Sequence, residues 1–342
     1  MNASHILAIP LDEPELLFKS KDTIKQELRA FLKQWHPDVN KDPAAPAVAA
    51  HINALYSRAE LLAAKGSWQT PNLLVLKGKD GRERRIAYRA RRPFELGVLY
   101  IGDSIATYVV DRKHEALVLS GLRCIGTIRY PTEDFRRSLE PYFPKVEHYF
   151  ETSDSIVVCM RKRKDEILLS DLIAHLGGKI DPKHVAWIMS CLFNLASFLH
   201  INKMAVNGIE PQTVFVSTPT HSLSILGGWW YGIEFGKQLK SLPPAIYKLA
   251  PRKLLAEKKA TSFLDLEGIR AIGRAALGDI TGNSFRMRDD IPKPMASFLV
   301  LPNSGNAIKD YEAWGKVLKD SFGPRKFVKL EVVMDDVYPR MH

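Results

Sequence analysis

The sequence predicts two unlike parts, a small α-helical hairpin followed by a larger bilobal α+β domain. Three observations predict it. Residues 19–65 place apolar side chains at helical spacing. After residue 66 the pattern changes to short apolar runs broken by turn residues, as strands require. Beyond Asp165 helical spacing returns, so a strand-rich half precedes a helix-rich one. The expected boundaries are 1–66 for the hairpin, 67–84 for a linker and first β-hairpin, 85–330 for the α+β domain and 331–342 for a C-terminal tail. No internal repeat is evident.

In the first part, Ile24, Leu28, Phe31, Leu32 and Trp35 form one apolar stripe from Thr23 onward. Pro37 disfavours a helical His36, so that helix ends near Trp35. A polar loop from Asp38 to Pro46 follows. A second helix then runs from Ala47 to Lys65, with Ile52, Leu55, Tyr56, Ala59 and Leu62 inward and Gly66 as its stop. In the second part, strands are expected at 73–76, 85–88, 96–101, 105–110, 116–119 and 156–160, with a helix over 132–139. Helices are expected at 168–176, 182–201, 263–277, 294–301 and 308–320, and short strands at 214–216 and 223–226.

Composition bounds the function classes. A chain with 46% hydrophobic and 25% charged residues is neither disordered nor collagen-like. No run approaches the ~20 uninterrupted apolar residues of a membrane span, and 1–18 lacks a signal-peptide pattern. The three cysteines, Cys124, Cys159 and Cys191, are far apart and odd in number. They suit a reducing compartment, so a cytoplasmic location is expected. Cys159 and Cys191 lie in apolar surroundings and read as inert.

The formal charge is +11, and residues 1–70 hold equal numbers of acidic and basic side chains, so the excess lies downstream. It gathers in Lys77 to Arg92, in Arg161-Lys162-Arg163-Lys164 and in Lys237 to Lys259. Such runs could meet phosphate backbones, anionic lipid or an acidic protein, but solvated faces and hairpin edges account for them more simply.

The sharpest motif is Trp35-His36-Pro37-Asp38-Val39-Asn40, set between a basic amphipathic helix and a second helix. Lys25, Arg29 and Lys33 recur at i, i+4, i+8 as a basic ridge off the apolar stripe. Residues 11–66 resemble the J-domain family of Hsp70 co-chaperones, with the family's initial helix reduced to Pro14-Glu15-Leu16-Leu17-Phe18. The resemblance implies that His36, Pro37 and Asp38 trigger Hsp70 ATP hydrolysis and that Lys25, Arg29 and Lys33 dock on an acidic Hsp70 surface.

Residues 92–327 resemble the protein-kinase fold in framework. Gly208-Ile209-Glu210-Pro211-Gln212-Thr213 follows a long helix and precedes a short strand, as the kinase catalytic loop does. By that resemblance Gly208 stands for the catalytic Asp, Glu210 for the following Lys and Thr213 for the metal-binding Asn. Gly227 stands for the Asp of Asp-Phe-Gly, and Ala250-Pro251-Arg252 is similar to the Ala-Pro-Glu motif. Asp265 stands for the Asp of the central buried helix that ties the catalytic loop down. Residues 101–110 resemble the nucleotide-covering hairpin, of whose glycines only Gly102 remains. Leu119, on an expected strand, stands for the phosphate-binding Lys. Phosphoryl transfer needs a base, metal ligands and a lysine, and each is replaced. The run Gly227 to Gly232, with Trp229, Trp230 and Tyr231, reads as core or as a wedge in a degenerate activation segment.

The resemblances together imply a multidomain chain, a small α-helical hairpin J-domain plus a bilobal α+β protein-kinase-like domain. They imply a non-enzymatic Hsp70 co-chaperone whose pseudokinase binds an unidentified protein partner. No cofactor, metal site or membrane is expected, since no Cys-x-x-Cys or His-Glu-x-x-His occurs and the ten histidines are scattered. Two alternatives stay open: an atypical ATP-binding enzyme drawing on Glu210, Asp265 and Asp289-Asp290, and a basic nucleic-acid-binding scaffold, which the charge distribution does not favour.

Overall fold

The computed structural model describes residues 2–65, 68, 72–324 and 326–338. The chain divides into two compact units, Met1–Tyr88 and Arg89–His342. Gly66, the expected helix stop, and most of the expected linker lie outside the described residues.

The first unit opens with α1 (Ala3–Leu7) and a three-residue 3₁₀ turn at Pro14–Leu16, where the sequence left only a remnant of a helix. Helix α2 (Ile24–Trp35) packs on α3 (Ala45–Ala64). Ile24 and Trp35 of α2 meet Val48, Ile52, Leu55 and Ala59 of α3 in a core completed by Ile6, Leu17 and Phe18. Phe18 lies edge-on to both Phe31 and Tyr56, at 6.2 and 6.3 Å. The unit also holds an antiparallel hairpin, β1 (Leu73–Lys77) and β2 (Glu83–Ala87), turning at Gly81 with φ +78°.

The second unit begins with a five-stranded antiparallel sheet of order β3-β4-β5-β7-β6. Its strands are β3 (Ala90–Phe94), β4 (Gly97–Ile101), β5 (Ile105–Asp111), β6 (Val146–Glu151) and β7 (Ser155–Arg161). Between β5 and β6 the chain forms α4 (Glu115–Gly126) and α5 (Glu133–Leu139). The expected strand at 116–119 is therefore helical. Val118, Gly121 and Cys124 are its buried positions, a helical spacing that the apolar run 116–119 is too short to display.

The helical lobe follows, with β8 (Glu166–Leu168), α6 (Leu169–His175), α7 (Pro182–Ile201), β9 (Met204–Ala205), β10 (Val214–Ser217), β11 (Ser222–Ile225) and β12 (Ile233–Glu234). Then come α8 (Pro244–Leu249), α9 (Arg252–Glu257), α10 (Phe263–Ala276), α11 (Lys293–Val300), α12 (Ala307–Phe322) and α13 (Met334–Val337). Asp181 caps α7 by accepting from Lys183 N at 2.8 Å. Helix α7 is long and apolar enough to cross a bilayer, yet most of that window is buried in this unit. It packs on α10 and α12 as a core helix. Beneath them Arg270 and Asp310 form a buried ion pair at 2.8 Å, and the Arg270 guanidinium also donates to the carbonyls of Phe298 and Leu301.

The segment after α12 returns along the lobe junction as a strap. Phe327 stacks on His221 at 4.1 Å, and Thr218 Oγ1 donates to Val332 O. Met334 is buried beside the Lys162 ammonium, which donates to the carbonyls of Arg163 and Glu166 at 2.8 and 2.9 Å. Burial lowers the Lys162 pKa to about 8. Tyr338 is buried, accepting from Leu168 N at 3.2 Å and donating to Asp171 at 2.6 Å. Arg89, just ahead of β3, bonds both Asp103 and the strap's Asp335. Of the expected C-terminal tail, 331–342, Val332, Met334 and Tyr338 are buried in this unit's core.

Candidate functional site

Two places carry the residues singled out in the sequence. In the first unit, His36 ends α2: its backbone turns extended, with ψ 131°, while its N–H still reaches Leu32 O at 2.8 Å. The loop holds its own shape. Val39 N and Asn40 N both donate to His36 O, at 2.9 and 2.8 Å, and Asn40 Nδ2 donates to Gln34 O at 3.0 Å. Asp38 N donates to His36 Nδ1 at 3.3 Å, and the Asp38 carboxylate lies 3.5 Å from that ring nitrogen. The side chains nevertheless face water, His36 being 51% and Asp38 86% exposed. Lys25, Arg29 and Lys33 are all exposed along α2, with Lys25 3.9 Å from Glu60 of α3. The structure thus brings the six expected residues to one helix and the loop that ends it.

In the second unit the site lies between the sheet and the helical lobe. Asp265, at the start of α10, is buried and accepts from the N–H groups of Val206 and Asn207, at 2.9 and 2.7 Å. Burial pushes its carboxyl up to about 7, against the two N–H donors that lower it. Asn207, held at φ +56°, donates from Nδ2 to Tyr231 O at 3.2 Å. The loop beyond is closed by Thr213, whose hydroxyl donates to Gly208 O at 2.8 Å and accepts from Glu210 N at 3.0 Å. Gly227 N donates to Thr213 O at 3.0 Å. Gly208, Glu210, Thr213 and Gly227 therefore converge.

Their surroundings leave little room for larger side chains. A β-carbon on Gly208 would lie 2.7 Å from both the Cα and the carbonyl oxygen of Gly228, itself at φ +78°. One on Gly227 would meet Thr213 and the Tyr108 hydroxyl at 3.0 Å. Tyr108 is central on β5 and buried, edge-on to Phe94 at 5.7 Å and to Trp230 at 5.4 Å. Burial drives its hydroxyl pKa well above the usual tyrosine value. Trp229 is sealed by a bond from Nε1 to Ile225 O at 2.8 Å, so the aromatic run is core.

Two expected positions lie elsewhere. Leu119 is on α4, not on a strand, so it holds no place in the sheet. Gly102 sits in the turn between β4 and β5, where its N–H donates to Ile105 O at 2.8 Å. The sheet's first hairpin is instead β3–β4, turning tightly through Glu95 and Leu96, since Phe94 pairs with Gly97. Tyr108, on β5 just ahead of α4, is the residue of the sheet whose hydroxyl faces Gly227.

Glu95 and Glu210 were not paired by sequence reasoning. Tyr231 Oη donates to Glu95 at 2.7 Å, and burial together with the Glu95 charge raises the Glu210 pKa to about 7. Among the described residues no group of three or more His, Cys, Asp or Glu side chains is placed to hold a metal.

Much of the basic run at Lys77 to Arg92 is engaged within the chain. Arg84 grips Asp80 with two nitrogens at 3.0 and 2.7 Å, Arg85 reaches Glu83 at 3.0 Å, and Arg92 reaches Asp171 at 2.9 Å. Arg89 is held by Asp103 and Asp335 as described.

No protein-family model matches the chain, and no curated protein does. Among solved structures it is similar to the crystal structure of the BubR1 kinase domain. That match has a TM-score of 0.50 and 10% sequence identity, covering 74% of this chain and 85% of that one. At this identity the likeness speaks of fold alone. The five-stranded sheet lobe with its helix, joined to the helical lobe, is a kinase-like bilobal fold.

Proposed function

We propose that the chain is an Hsp70 co-chaperone or adaptor, whose first unit acts as a J-domain and whose kinase-like unit binds a partner without catalysing phosphoryl transfer. One observation carries the first half. His36, Pro37 and Asp38 stand exposed on a loop whose backbone is fixed by its own hydrogen bonds, next to an exposed ridge of Lys25, Arg29 and Lys33. An oriented carboxylate beside a proline offers a charge-assisted acceptor to an arginine. A row of cations speeds encounter with an acidic partner. The partner implied is a DnaK-type Hsp70 in a reducing, cytoplasmic setting. The test is single-turnover ATP hydrolysis by such an Hsp70, with stimulation by the wild type and none by Asp38→Asn. Equal stimulation by both would overturn the assignment of the trigger.

The non-catalytic reading of the second unit is supported by what occupies the cleft. On the kinase resemblance Gly208 and Gly227 answer to the base and to a metal ligand, and each faces packed atoms that leave little room for a larger side chain. A ligand at a hundred times its Kd stabilises by about 2.7 kcal/mol. The expected melting curve is therefore unchanged by ATP with Mg²⁺ or Mn²⁺, and a clear upward shift would favour the atypical-enzyme alternative.

A further inference from the structure

A pocket of about 460 Å³ lies where the segment after α4 meets the end of α7 and the β9–β12 pair. That volume falls within the range of ligand sites, about 300–1,000 Å³. Hydrogen bonds tie its walls together. Asn202 accepts from Arg129 N at 2.9 Å and donates to Phe198 O at 3.1 Å, and Phe235 N donates to Lys203 O at 2.7 Å. Lys203 holds a left-handed backbone, φ +56°, which a residue bearing a β-carbon keeps only where its surroundings fix it.

The lining joins apolar surface to cations. Tyr130, Ile201, Met204 and Phe235 supply the apolar part, and Ile201 is 60% exposed. Arg129 and Lys203 are exposed and form no ion pair among the described residues, while Glu234 is the one acid in the lining. The positive excess continues past the pocket on a short antiparallel ribbon. Lys237 N donates to Glu234 O at 3.2 Å, Lys237 O accepts from Ala260 N at 2.9 Å, and Leu239 N donates to Lys258 O at 2.7 Å. The ribbon thereby gathers Lys237, Lys240, Lys258 and Lys259, all exposed and none in an ion pair among the described residues.

We infer that this pocket docks an acidic segment of a protein partner. One large apolar side chain of that segment sits against Tyr130, Ile201 and Phe235, and its carboxylates meet Arg129, Lys203 and the lysine ribbon. The charge balance selects an anionic occupant. The rings select a peptide over a nucleic acid, because bases bind by stacking on open aromatic faces. Here Tyr130 is already stacked with Phe198 at 5.4 Å, and the Arg136 guanidinium lies 5.4 Å from its centre. Phe235 is engaged with the His200 ring at 5.3 Å. The exposed Ile201 offers aliphatic surface instead, which suits a leucine or phenylalanine anchor ringed by charge.

The inference deepens the reading of the kinase-like unit as a partner-binding module, rests on it, and is independent of the Hsp70 assignment. The full chain is titrated with a fluorescein-labelled peptide, Glu-Glu-Leu-Phe-Glu-Glu, and anisotropy is read at low and at physiological salt. Three probes accompany it: the peptide with glutamine for every glutamate, the peptide with serines for its apolar pair, and a labelled single-stranded oligothymidylate. The expected result is saturable binding of the acidic apolar peptide, about tenfold weaker for either altered peptide. Ile201→Ser and Arg129→Gln, both at exposed positions, should each weaken it about tenfold as well. Lys203→Asn, which still accepts a left-handed backbone, should act in the same direction. Melting curves verify that the variants are folded. No saturable binding, equal binding of the glutamine or serine peptide, an affinity that none of the substitutions changes, or tighter binding of the oligothymidylate would each overturn the inference. A flat ATP melt without peptide binding removes this inference alone, and an ATP shift with peptide binding intact removes the non-catalytic reading alone.

Discussion

The Tyr108 hydroxyl lies 3.0 Å from the point where a β-carbon on Gly227 would sit, and Thr213 carbons stand equally close on another side. A carboxylate introduced at residue 227 thus meets packed atoms. Gly227→Asp is expected to destabilise the protein by about 1–3 kcal/mol through overpacking. It should leave the melting curve insensitive to ATP and Mg²⁺. Thermal melts with and without nucleotide test both statements.

Asp38 makes no contact that the fold depends on. Asp38→Asn should therefore change stability by no more than about 0.5 kcal/mol, as for other surface substitutions. In the same preparation it should abolish Hsp70 stimulation. A large loss of melting temperature would show that the loop is structural.

The ridge on α2 should act chiefly on the rate of encounter. Replacing Lys25, Arg29 and Lys33 together by alanine is expected to slow Hsp70 association about tenfold or more at low salt, with a smaller difference at high salt. Stopped-flow association over a range of ionic strength gives the slope directly.

Glu210 links stability to pH in a definite direction. Its folded pKa of about 7 lies above its ordinary value of 4.5. Between those values the unfolded chain has already released the proton that the folded chain retains. The contribution is fully present below about 4.5 and lost as pH rises through about 7. Glu210→Gln should therefore melt at the wild-type temperature near pH 4.5 and several degrees above it near pH 8. Asp265 shifts in the same sense, so the difference between variant and wild type is the informative quantity.

Arg270 and Asp310 are both nearly inaccessible, at 3% and 4% side-chain exposure. Asp310→Ala removes the carboxylate facing Arg270 and an acceptor from Ser304 N, and should cost about 3–5 kcal/mol in urea unfolding. A cost below about 1 kcal/mol would mean that the Phe298 and Leu301 carbonyls alone satisfy the guanidinium.

The helices that bury a continuous stripe, α7 and α10 above all, were legible because their period repeats over several turns. Two of the strands that escaped sequence reasoning, β3 and β6, share a cause: they are the two edges of the five-stranded sheet. An edge tolerates Arg91, Arg92 and Pro93 in one strand and Glu147 and His148 in the other, so neither shows a strand's apolar alternation. Helix α4 was missed for the opposite reason, since four apolar residues in a row carry no period. Asp265, Gly208 and Thr213 could be read from their order around a short strand. Tyr108 and Glu95 became visible only when the sheet order fixed which hairpin comes first.

The strap bears on where this chain can be divided. Val332, Met334 and Tyr338 are buried in the same core as β8 and α6, and Arg89 and Asp335 meet across its start and finish. A fragment ending at residue 324 would uncover Lys162 and leave the Leu168 N–H and Asp171 without Tyr338. A version of the kinase-like unit made on its own should accordingly keep Tyr338, and a tag or fusion belongs beyond that tyrosine rather than before it.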